Sequence, residues 1–253
     1  MRNFINLADI DKRELRKIID HAKLQKKYGK DSHNTMVDKT LIMIFEKPST
    51  RTRLSFELAM KKLGGNVLVL NPKESHYGSG DESIHDTAKT LSRYGDIVMM
   101  RTYKHKHFLK FSKHLEIPII NGLTNLSHPV QLMATIMTYE ELKGPIANKK
   151  IAWFGDGNNI VYSLIEAAVQ FNFKLSIACP KKLRPNKEIV KWSKDKKADI
   201  LITKDPKEAA ENASAIITDK WISMSDEVNK KKKKKLLKPY QVNEKLMKLA
   251  KPD

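Results

Sequence analysis

Eight short runs rich in Ile, Val and Leu recur along the chain, at 41–45, 66–70, 96–100, 117–120, 150–154, 173–179, 198–203 and 214–218. Amphipathic stretches of helical length, at 11–27, 52–63, 83–94, 128–142, 158–171 and 186–196, separate most of them. Strands that are apolar throughout are buried on both faces, and their alternation with helices is the pattern of a parallel sheet covered on each side. The expected fold is therefore α/β: two doubly wound domains, each with a central, mainly parallel sheet flanked by helices. The 253 residues suffice for two cores of ordinary size. Gly144 and Pro145 follow a long helical stretch and mark the expected junction, with domains over 1–143 and 144–253.

Composition narrows the class of partner. No apolar run approaches the roughly 20 residues that span a bilayer, and "MRNFINLADIDKREL" lacks the apolar core of a signal peptide. The expected location is the cytoplasm, with no membrane partner. The one cysteine, Cys179, excludes an internal disulfide and suits a reducing compartment. In "KLSIACP" it is expected to face a strand core. A net charge of +19 draws polyanions. Lysine, however, supplies 40 of the 48 basic residues, and it is the poorer choice for bidentate phosphate or base recognition. No groove-reading module is visible, so no specific nucleic-acid partner is expected. The six consecutive lysines of "NKKKKKKLL" at 229–237 read as a flexible or helix-edge surface segment.

"FEKPSTRTRLSFELA" at 45–59 breaks a local rule. Arg51 and Arg53 stand in the first turn of an expected helix, where the macrodipole favours anions. Pro48 stops the preceding strand, and Ser49 or Thr50 can cap the helix. Free backbone N–H groups, the hydroxyls of Ser49, Thr50 and Thr52, and two guanidinium groups can then face one point, which is a cradle for phosphate. Leu54, Phe56, Leu58, Ala59 and Leu63 are expected to hold the helix against a sheet. Arg101 ends the strand at 96–100, where open α/β sheets bind ligands. In "SHPVQ", Pro129 opens a helix and places His128 at its positive end, an environment that lowers an imidazole pKa and suits a neutral donor. "WFGDGNN" opens a second strand-to-helix unit with G-x-G, but Ile160 occupies the third glycine position of the dinucleotide fingerprint, and no acidic residue ends the next strand. A nicotinamide enzyme is accordingly a poor reading.

"STRTR" followed by "SFELAMKKLGGNVLVL" resembles the carbamoyl phosphate motif of the aspartate and ornithine carbamoyltransferases. "DESIHDTAKTLSRYGDIVMMRT", "PIINGLTNLSHPVQLMATIMTYEE", "IAWFGDGNNIVYS" and "TDKWISM" follow in the family's order, so the resemblance covers nearly the whole chain. It implies carbamoyl phosphate held by Ser49, Thr50, Arg51, Thr52, Arg101, His128 and Gln131, with Arg51, Thr52, Arg101 and His128 catalytic. It also implies L-ornithine held by Asn159, Asp219, Ser223 and Met224. The D-x-W-x-S-M pattern and "SHYGSGDES", despite Lys73 in the same loop, favour ornithine over aspartate.

The reaction so implied is attack by the δ-amine of ornithine on carbamoyl phosphate, giving citrulline and phosphate in arginine biosynthesis. It needs no cofactor and no metal. The family further implies a homotrimer and closure of the 219–230 segment over the amino acid. The sequence departs from the family pattern in three places. His76 stands nearest the position of a glutamine that reaches a neighbouring subunit's site. Val130 replaces the cysteine of H-P-C-Q, and the chain stops at "LMKLAKPD", before the family's H-C-L-P segment. That stop gives an alternative expectation, a chain that binds carbamoyl phosphate with little or no turnover. Action on a related amine or amino acid is the other alternative.

Overall fold

The computed structural model describes residues 3–29, 35–72, 76–222 and 230–252, and strands form where the apolar runs stand. In chain order the first part contains α1 (Lys12–Tyr28), β1 (Thr40–Phe45), α2 (Thr50–Lys62), β2 (Asn66–Leu70) and α3 (His76–Ser79). It continues with α4 (Ile84–Tyr94), β3 (Ile97–Arg101), α5 (His105–His114) and β4 (Ile119–Leu123). The second part contains α6 (Pro129–Lys143), β5 (Lys150–Phe154), α7 (Asn159–Phe171), β6 (Lys174–Ala178), α8 (Lys187–Asp195) and β7 (Ile200–Thr203). It ends with α9 (Pro206–Ala210), β8 (Ala215–Thr218), α10 (Lys230–Leu237) and α11 (Glu244–Met247).

Each part carries one four-stranded sheet, ordered β2-β1-β3-β4 and β7-β6-β5-β8. Every pairing in them is parallel. Alternate residues of β1 serve opposite faces, as the period of a strand requires. Ile42 and Ile44 pack with Val98, Met100, Phe108 and Phe111, whereas Leu41 and Met43 pack with Met60 and Met99. Both faces are thus covered, which is why these strands read as unbroken apolar runs. The expected fold class is the one observed.

α5, "HKHFLKFSKH", is not among the helical stretches expected above, although Phe108 and Phe111 stand at i and i+3. It forms nonetheless, because Phe108 and Phe111 are fully buried under the first sheet. α2 differs from expectation in its packing. Its inward residues are Phe56, Met60 and Leu63, one face at i, i+4 and i+7. Leu54 and Leu58 share a different face and are 52% and 54% exposed.

The chain divides into compact units at Met1–Val130 and Gln131–Asp253, earlier than the junction at 143/144. The reason is α6, whose Leu132 and Ile136 line an apolar cavity together with Ile151, Leu164, Phe173 and Ile217 of the second unit. Loop composition marks where a helix ends; it does not say which sheet the helix covers. Phe108→Ala is expected to cost about 3–5 kcal/mol through a cavity that the rigid sheet cannot refill. Urea unfolding of the first unit checks it as a lower midpoint at unchanged slope.

Candidate active site

In an open parallel sheet, ligands bind beyond the strand C-termini where the strand order reverses. In the first sheet that point lies between β1 and β3, whose last residues Phe45 and Arg101 are register partners. Ser49 caps α2 by accepting from Thr52 N at 3.3 Å, so Thr50 opens the helix and Arg51 and Thr52 lie in its first turn. Arg101 Nη1 donates to Thr52 Oγ1 at 3.0 Å. The arginine is only 8% exposed, and its Nε has no hydrogen-bond partner among the described residues. Burial, then the field of Arg51, push the Arg101 pKa below its ordinary value.

His128 belongs to the same cluster. It is buried, and burial followed by the charge of Arg101 pull its pKa down to about 3. The ring is therefore neutral at physiological pH, and Arg101 lies within electrostatic reach of both this imidazole and Arg51. Gln131 follows in the first turn of α6. Arg53 does not join this group. Its guanidinium Nε turns along the helix to Glu57 Oε2, 3.9 Å away, because i and i+4 share a helix face.

Sequence reasoning overlooked the carboxylate that fastens this site. Glu46 follows β1, and its backbone N–H donates to Arg101 O at 3.0 Å. Its side chain accepts from Tyr77 Oη at 2.7 Å and from the Thr102 hydroxyl, and it lies 3.1 Å from His107 Nδ1. Burial alone would raise its pKa, but the bonds from His107, Thr102 and Tyr77 hold it below the ordinary carboxylate value. Glu46 thereby ties the segment leading to Ser49 to the residue that follows Arg101. The signal was an acid directly after a strand, but its donors lie far away in sequence and one stands on α5, a helix not among those expected. Beside it the buried Lys47 places Nζ 5.4 Å from the Tyr103 ring centre. His76, at the position matched to the family's glutamine, opens α3 and is exposed.

In the second sheet the order reverses between β5 and β8, where Phe154 and Thr218 are partners. Asn158 caps α7 by accepting from Ile160 N and Val161 N, and its Nδ2 donates to Asp219 Oδ2 at 3.2 Å. Asn159 is the first residue of α7. Asn159 and Asp219 thus flank one crest, while Ser223, Met224 and Lys73 lie outside the described residues. Gly157 must be glycine for a local reason. A Cβ there would stand 2.4–2.6 Å from the backbone of Leu183, Arg184 and Pro185, so the G-x-G element packs against its own chain. Cys179 is buried as expected, and burial raises its thiol pKa to about 11.

Residues 2–141 match the carbamoyl-phosphate binding domain of the aspartate/ornithine carbamoyltransferases, and residues 147–253 match the aspartate/ornithine binding domain of the same family. The chain belongs to the aspartate/ornithine carbamoyltransferase family. Relatives of this family include the ornithine carbamoyltransferase of Nitrobacter winogradskyi, 45% identical over all of this chain and 82% of the relative. That of Rhodopseudomonas palustris is 46% identical over the same shares. Among solved carbamoyltransferases, the ornithine enzyme of Pyrococcus furiosus superposes with a TM-score of 0.92 at 39% identity, covering 99% of this chain and 82% of that one. The anabolic ornithine enzyme of Campylobacter jejuni gives 0.93 at 36% identity, over 100% and 84%. The family division follows the α6–β5 loop, so the contact boundary at 130/131 and the family boundary differ by one helix.

The depressed His128 pKa sets a pH dependence. An unfolded imidazole takes up a proton near pH 6.5, whereas the folded one resists until about pH 3. Between those values the unfolded state binds more protons, so stability falls as pH falls through this window. His128→Gln is expected to lose that part of the acid-side decline, read as the difference between the two proteins' urea midpoints plotted against pH.

Proposed function

We propose that this chain transfers the carbamoyl group of carbamoyl phosphate to the δ-amine of L-ornithine. The observation that carries the reading is the buried Arg101, bonded to Thr52 at the capped start of α2 and beside a neutral His128. A phosphate dianion suits the cations Arg51 and Arg101, the helix N–H groups and the hydroxyls of Ser49, Thr50 and Thr52. A carbonyl oxygen suits a neutral imidazole with Gln131. In this reading the uncharged δ-amine attacks the carbonyl carbon, the bond from that carbon to the phosphate oxygen breaks, and phosphate leaves. The nitrogen then loses its extra proton, which gives citrulline. Rate comes from holding the reactants in line and from donors placed where charge develops, each worth several kcal/mol.

Asp219, Asn159, Ser223 and Met224 are assigned to the amino acid, with Asp219 on its α-ammonium. The corresponding metabolic setting is arginine biosynthesis, and the assigned place is the cytoplasm; no described helix is long and apolar enough to cross a membrane. The assay is citrulline formation from the two substrates. Arg51→Ala and His128→Ala are each expected to lower turnover by about 10²–10³, and full activity in both variants would overturn the assignment.

The assembly assigned is a homotrimer. Leu54 and Leu58 of α2 share one face at i and i+4 and are exposed in the first unit, apolar side chains of the kind that subunits cover. Light scattering is expected to give three times the chain mass, and Leu58→Lys is expected to shift the protein toward smaller species.

A further inference from the structure

Two carboxylates stand at the C-terminal end of the second sheet, and the chain treats them differently. Asp219 is met by neutral donors, Asn158 Nδ2 at 3.2 Å and its neighbour Lys220 N at 2.7 Å. Asp156, in the loop that carries Asn158, is met by a cation. Lys233 Nζ lies 2.6 Å from Asp156 Oδ2, with both side chains largely buried at 15% and 19% exposure. Among the described residues no other cation lies within ion-pair distance of Asp156.

Lys233 is one of the six consecutive lysines, and the helix selects it. In the run from Lys230 to Lys235 it alone is not exposed. It shares a face with Leu237, at i+4, which is buried, and Tyr240 just beyond the helix is buried as well. The remaining lysines project to solvent from the other faces of α10.

We propose that Lys233 is a positioning residue for the amino-acid substrate. By neutralising Asp156 it leaves Asp219 as the carboxylate that receives the α-ammonium. With Asp156 uncompensated, two anionic groups at one crest would compete for a single ammonium, and the Asn158 loop would lose its anchor to α10. The inference rests on the assignment of Asp219 given above, and it adds the residue that makes that assignment unique.

The test is steady-state kinetics with each substrate varied in turn, on wild type, K233M, K233R, D156N, the double variant D156N/K233M, and the exposed neighbours K232M and K234M. K233M is expected to raise the KM for ornithine about tenfold, as for directly coupled groups, and to leave the KM for carbamoyl phosphate within about twofold. K233R is expected to stay near wild type, K232M and K234M to match it, and K233M to add little on the D156N background. The inference is overturned if K233M behaves like K232M, if both KM values rise together with a lowered Tm, or if the two substitutions add. A wild type that makes no citrulline overturns the proposed reaction instead, and calorimetric titration of ornithine across the same variants then reads the inference. Absence of ornithine binding to the wild type overturns both.

Discussion

A guanidinium group removed from water is costly unless something of opposite charge or strong dipole meets it. Arg101 is such a group, and the first unit is organised around it. Its one hydrogen bond among the described contacts reaches Thr52, a hydroxyl at a helix start that is itself electropositive. A second cation, Arg51, depresses its pKa further. An arrangement that gathers positive potential at a sheet's switch point, and holds it there by burial, is suited to an anion. The covalent frame sets the place: β1 and β3 are neighbours in register, so the loop after one and the last residue of the other must meet.

Holding that potential in place falls to a group of the opposite sign. Glu46 lies between the two halves of the cradle and binds the residue after Arg101, a tyrosine of α3 and a histidine of α5. Its carboxylate is saturated by these donors, so it anchors the loop without offering itself as a counter-ion to the arginine. The same economy recurs in the second unit, where one aspartate is bound to a lysine and the other is left to neutral donors.

Local signals in the sequence carried much of this. Apolar runs gave all eight strands, and those of β1, β3, β5 and β6 are unbroken because a doubly covered parallel strand has no polar side. Arg51 and Arg53 drew attention because they break the helix-dipole rule, and His128 because Pro129 announces a helix start. What stayed hidden depends on partners distant in sequence. Arg53 reads like Arg51 until Glu57 captures it. Leu54 and Leu58 read as core until Phe56, Met60 and Leu63 take the inward face. Lys233 is one letter among six identical ones, and only the phase of Leu237 distinguishes it. For α6, Gly144 and Pro145 announce the end that the family division follows, while which sheet the helix meets depends on the apolar walls around it.

That helix has a consequence for how such a chain can diversify. Pro129 continues directly from the loop that carries His128, with no spacer, and within one turn the side chains are already committed to the cavity beside β5. An inserted residue at this position would rotate the whole apolar stripe by about 100° and withdraw Leu132 and Ile136 from their neighbours. The start of α6 is therefore among the least permissive places for change in length, and indels are to be sought instead in turns such as the one around Gly144.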